Sequence, residues 1–107
     1  MNREEIAFIS IGQKIENGVK SQMFGKPCFK TNSKAFICFF KNAMVFKLTD
    51  LAHHEALSLD GSKLFDPSGK GRPMKEWVQI PFEHKDKWKE FAEKAAIYVG
   101  GQQYRFV

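Results

Sequence analysis

The sequence predicts an α+β fold: an antiparallel β-meander, a second pair of strands, and helices packed on the sheet, in the order α-β-β-β-α-β-β-α. Three observations predict it. Residues 23 to 48 hold six of the eleven phenylalanines, in short apolar runs between polar breaks, with no Asp or Glu. Apolar residues recur at helical spacing near both ends: Phe8, Ile11 and Ile15, then Trp88, Phe91, Ala95 and Tyr98. A third run, Met74 to Ile80 with Trp77 at its centre, is bounded by Pro73 and Pro81.

The first helix is expected over residues 3 to 16. Asn2 can accept from the Glu5 amide as a cap. Gly12 weakens that helix by about 1 kcal/mol relative to Ala, and Gly18 stops it. Val19 to Phe24 is extended, and Gly25 and Pro27 break any regular ladder there. Strands follow at 28–31, 35–40 and 44–48. Asn32-Ser33 makes the first tight turn. Lys41-Asn42 or Asn42-Ala43 makes the second. Thr49 or Asp50 caps a short helix, Leu51 to Leu59. Lys63 to Phe65 is a short strand. A loop of Pro and Gly, residues 66 to 73, leads to the strand Met74 to Ile80. The last helix starts between Glu83 and Asp86, with Glu83–Lys87 and Glu90–Lys94 as favourable pairs. Gly100-Gly101 ends it, and Gln102 to Val107 is a tail.

At 107 residues, 43% hydrophobic and 27% charged, the chain fits one globular domain. No apolar run reaches the roughly 18–20 residues that span a bilayer. The N-terminus carries acids and no signal-type apolar run. We therefore expect a cytoplasmic protein, with Cys28 and Cys38 as buried thiols. The formal charge is +5. Six lysines and no acid fall between Asn17 and Thr49. Such a region either solubilises an apolar sheet or serves an acidic or phosphate-bearing partner.

Three short motifs occur in order. Met23-Phe24-Gly25 leads into a hairpin. Met44-Val45-Phe46-Lys47-Leu48 precedes a short helix. Gly69-Lys70-Gly71-Arg72-Pro73-Met74 leads into the Trp-bearing strand and an Ala-rich terminal helix. Over about residues 19 to 99 this run resembles the N-terminal domain of TfoX, the competence-regulator family of bacteria. The resemblance implies one small α+β domain over residues 1–107, similar in layout to secretion chaperones and YjbR-type proteins. It implies a regulatory or interaction role, with a protein partner or self-association, and no established reaction. The residues themselves lead us to expect no cofactor, metal or membrane contact. Lys26-Pro27 departs from the family, which often has a second glycine there.

Several side chains could carry chemistry. The Gly69-Lys70-Gly71-Arg72 loop can wrap an anion, because glycines let backbone amides converge. It lacks the spacing of a P-loop. Lys26, Lys30, Lys34, Lys70, Arg72 and Lys75 are candidate contacts to nucleic acid or another anion. The run Lys34 to Phe40 lacks the second stacking aromatic of an RNA-reading strand, because Cys38 stands in its place. His53 and His54 point about 100° apart on a helix and form no ligand pair. Asp60 and Asp66 precede Gly and Pro and read as turn residues.

Two-residue turns in both hairpins set the faces of the sheet. They put Cys28, Ile37, Phe39, Phe46 and Leu48 on one face, and Phe29, Phe36, Cys38, Phe40 and Val45 on the other. The cysteines then point apart and form no disulfide, whereas a three-residue loop would set them directly across from each other. The second face needs a cover: helices of this chain, or a second copy seated on Phe29, Phe36 and Phe40. Three functions follow in order: an interaction or regulatory domain, a nucleic-acid-associated protein, and an enzyme of unidentified chemistry.

Overall fold

Local rules place the ends of each element in the computed structural model, which describes residues 1–101. The expected tail, Gln102 to Val107, lies outside the described residues. Helix α1 spans Arg3–Gln13, and Asn2 Oδ1 accepts the Glu5 amide at 2.9 Å. Strands β1 (Val19–Met23), β2 (Lys26–Thr31), β3 (Lys34–Phe40) and β4 (Ala43–Lys47) then run as a meander. Helix α2 (Asp50–Ser58) leads to β5 (Lys63–Phe65) and β6 (Met74–Ile80). A 3₁₀ turn, Phe82–His84, precedes α3 (Lys85–Gly100).

The fold is α+β, and the expected elements occur in the expected order. The extended stretch after α1 is a full strand, β1. Its ladder with β2 runs through Pro27, which pairs with Gln22. Pairing of β2 with β3 begins only at Cys28, so the missing Pro27 amide breaks no rung of that ladder. Three hairpin turns hold two residues each, all at positive φ: Phe24-Gly25, Asn32-Ser33 and Lys41-Asn42. This is the type I′ geometry that matches strand twist. Glu83 falls in the 3₁₀ turn and faces His84 at 3.4 Å, while Glu90–Lys94 forms at 3.1 Å as expected.

The sheet is antiparallel, in the order β1-β2-β3-β4-β6-β5. All three helices supply one core. Phe8 of α1, Ala56 of α2, and Trp88 and Phe91 of α3 meet Phe29, Phe36, Ile37, Phe39, Met44, Phe46, Val78 and Ile80 of the strands. The other face holds a smaller cluster made of strand residues alone: Cys28, Cys38, Val45, Phe65 and Trp77, edged by Met23, Ala35, Phe40 and Met74. Phe40 and Phe65 stand three strands apart, about 14 Å on a flat sheet. Their rings are 5.1 Å apart. The sheet therefore curls around this face and buries the centre of its own cluster.

The expected faces need one correction. The Asn32-Ser33 turn does set Thr31 opposite Lys34, but the register shifts between Phe29 and Lys30. Phe36 is the extra residue, and beyond it Phe29 pairs with Ile37 and Cys28 with Cys38. A bulge lets two neighbours lean to one side, and Phe36 and Ile37 both enter the helix-covered core. Phe29 and Phe36 are thus buried under the chain's own helices and offer no surface to a second copy, while Phe40 stays half-buried on the open face. Cys28 moves the other way and joins Cys38, Phe40 and Val45.

Candidate interaction face

The strands carry lysines with almost no acid, and the helices carry most of the carboxylates. Seven lysines lie on the six strands, against one acid, Glu76. Glu76 is already engaged: it accepts from Tyr98 Oη at 3.0 Å and faces Lys47 Nζ at 3.6 Å. Glu4, Glu5, Asp50, Glu55, Asp86, Glu90 and Glu93 all sit on helices. The curled face without helices is consequently the basic side of the sheet.

The register decides which expected cations share that face. Lys26 and Lys30 alternate with Cys28 along β2 and lie on it. Lys34 pairs with Thr31, whose side chain meets Gly100 of α3, so its pleat turns to the helix side. Lys75 sits on β6, where its carbonyl accepts from His53 Nε2 at 2.8 Å. Lys70 and Arg72 lie in the loop between β5 and β6. The six do not form one surface. Lys41 and Lys63, absent from the expected set, do belong to it. Lys63 pairs with Gln79, in the row of Val45, and Lys41 Nζ stands 5.4 Å from the centre of the Phe40 ring. Lys26 Nζ stands 5.9 Å from the same ring. Both distances suit cation–π attraction.

Phe24 completes this end of the sheet. It sits at the β1–β2 turn beside Lys26, exposed at 63%, with φ of 54°. A sequence signal existed. Met23-Phe24-Gly25-Lys26 read as a two-residue turn puts Phe24 at the tip, where nothing of its own chain can bury it.

The Gly69-Lys70-Gly71-Arg72 loop does gather its amides, and the anion they hold is its own. Asp66 Oδ1 accepts from the amides of Ser68 and Gly69, each at 3.1 Å, and from Ser68 Oγ at 2.7 Å. Asp66 Oδ2 accepts from the amides of Gly71 at 2.9 Å and Arg72 at 3.1 Å. The expected cradle for an external phosphate is therefore filled, and Asp66 does more than turn the chain. The Ser68 hydroxyl, together with the amides of Gly71, Arg72 and Gly69, holds the carboxyl below its ordinary range. A carboxyl depressed on folding stabilises above its unfolded value, near pH 4, and that contribution is lost as pH falls through the folded one. We expect the amide resonances of Gly69, Gly71 and Arg72 to shift together below about pH 4. Asp66→Ala should abolish that joint transition. Independent shifts of the three would show that the carboxylate does not organise the loop.

Elsewhere several titratable groups are tied into local contacts. Among the described residues no group of three or more His, Cys, Asp or Glu converges to hold a metal. His84 donates from Nε2 to the Asp60 carbonyl at 2.7 Å. Lys94 lies between Glu90 and Glu55, and the Glu90 carboxylate raises its pKa. A groove of about 450 Å³ between the ends of α1 and α3 is lined by Lys14, Glu16 and Glu93 among others, without His or Cys. No described helix is long and apolar enough to cross a membrane.

No family model matches this sequence, and no curated protein or solved structure shows significant similarity to it. The likeness to the TfoX N-terminal domain accordingly rests on its three motifs.

Proposed function

We propose that the chain is a non-catalytic regulatory domain of the TfoX N-terminal type, acting in the bacterial cytoplasm. It takes a protein partner on the open face of its sheet, where Lys26 and Lys41 flank Phe40 at the end that carries the Phe24 turn. The observation that carries this reading is Phe24. A residue with a Cβ loses roughly 1–2 kcal/mol in the left-handed region, and Asn or Gly would serve the turn better. An exposed aromatic kept at such a cost is accounted for by a contact outside the chain. Its surroundings have the layout of a protein interface, an apolar centre at Phe40 within a rim of lysines. The fitting partner presents an apolar side chain flanked by carboxylates.

The basic strands also support a second reading, association with nucleic acid. It requires binding that weakens steeply with salt, and a slope that flattens on replacing Lys70 and Arg72 with Ala. The face favours the first reading. Its cations are lysines without the planar fork of arginine, and Trp77 and Phe65 are too buried to stack on bases.

A photo-crosslinking amino acid at position 40, used in the native cell, separates the two. We expect a protein adduct that disappears with Lys26→Glu or Phe24→Asn. Phe24→Asn should leave the fold intact and raise its stability by up to about 1 kcal/mol, since Asn tolerates this φ. An adduct sensitive to nuclease selects the second reading, and a crosslink between copies makes the partner a second chain. An adduct undiminished by Phe24→Asn removes the role given to that ring.

A further inference from the structure

Cys28 and Cys38 are paired directly across the β2–β3 ladder, and both are free, buried thiols. They meet because of the bulge. Without the extra residue Phe36, Cys28 would stand opposite Ile37 and the two sulfurs would leave opposite faces. Directly opposed residues of an antiparallel pair have Cα atoms about 4.5–5.5 Å apart. A disulfide accepts about 4.4–6.8 Å. Both side chains leave the same face, as bridging requires.

We propose that Cys28 and Cys38 form a modification site: a dithiol that closes into a cross-strand disulfide on reaction with a small-molecule disulfide of the glutathione class. Both thiols are closed off from solvent, at 0% and 1% exposure, so the reagent reaches them when the side chains at the edge of their cluster swing aside. No described helix lies over this face, and the half-buried side chains of Met23, Ala35, Phe40 and Met74 form its edge. Burial raises the Cys28 pKa, and the ammonium of Lys30, which follows it on the same pleat, offsets part of that rise. Cys38 is pushed up to about 12 by burial and by its neighbour Cys28. Cys28 is therefore the first attacker and Cys38 the resolving thiol.

The chemistry balances without a cofactor. The Cys28 thiolate attacks one sulfur of the small disulfide and expels one small thiolate, leaving a mixed disulfide. The Cys38 thiolate then attacks Cys28 Sγ, forms the Cys28–Cys38 bond and expels the second small thiolate. Two electrons pass from the protein to the small disulfide, and the two protons of the cysteines end on the released thiols. The new bond fastens β2 to β3 beneath Phe40, whether or not that face has a partner.

The test is to hold the folded protein in glutathione redox buffers of graded ratio until its composition is constant. It is then quenched in acid, unfolded, alkylated and weighed intact. We expect a monomer lighter by two hydrogen atoms that takes up no alkylating reagent, and whose Trp emission remains native. Cys38→Ala should instead accumulate a glutathione adduct at Cys28. The wild-type measurement decides alone if that variant fails to fold. Free thiols at the most oxidising ratio, adducts without an internal bond, or disulfides between chains would each overturn the proposal. So would a bond that forms only in urea.

Discussion

Replacing Phe91 with alanine is expected to destabilise the fold by about 3–5 kcal/mol, a large share of the roughly 5–15 kcal/mol that holds a domain together. Phe91 lies on the inner stripe of α3 and is 3% exposed. Its ring stands 6.0 Å from that of Phe46 on β4, at the centre of the helix-covered core. Trp88 precedes it by one turn and Ala95 follows by one turn, both fully buried. Shortening the side chain removes apolar contact on both sides. The void cannot close, because the rigid sheet lies below and the helix is fixed along its whole stripe. Urea unfolding followed by Trp fluorescence measures the loss. The midpoint should fall with the slope unchanged, as expected when the native state alone loses energy. A loss under about 1 kcal/mol would mean that the core collapses around the gap.

The inner stripe of α3 was legible because its spacing of three and four survives any tertiary arrangement. The three hairpins were legible in the same way: short apolar runs and two-residue turns leave few pairings. The bulge at Phe36 was not. In Ala35-Phe36-Ile37-Cys38-Phe39-Phe40 every residue is apolar, so either register buries an acceptable set of side chains. Only contact with Phe8 and α3 selects one. The curl that brings Phe40 to Phe65 depends on strands 25 residues apart, and no local pattern encodes it. Asp66 was legible as a turn residue, but its five donors depend on the loop returning over it. Phe24 was visible in a turn motif, yet its exposure shows only once the turn length is known. The basic side of the sheet was half legible: lysines cluster in sequence from Asn17 to Thr49, while their division between faces depends on the bulge.

Gly12→Ala is expected to reduce stability by about 1–3 kcal/mol, against the gain of about 1 kcal/mol that helix propensity alone assigns to it. The glycine lies inside α1 where the helix rests on the Phe29 ring of β2. A Cβ built there would fall 2.1 Å from Cε1 and 2.3 Å from Cδ1 of Phe29. Neither is a distance that rotation of a free side chain can relieve. Phe29 is 1% exposed, and the edge of the Phe8 ring holds it at 5.4 Å between centres. Phe29 also faces the bulge, so pushing it moves the point at which β2 and β3 change register. The helix must lift from the sheet, and the contacts of Phe8 open with it. The decisive measurement is a double-mutant cycle with Phe29→Leu, which removes the ring atoms that the new methyl would meet. In that background Gly12→Ala should become neutral or stabilising, as propensity dictates. If Gly12→Ala stabilises the wild-type chain, α1 does not approach β2 this closely. If the two substitutions are additive, the cost arises somewhere other than the Phe29 ring.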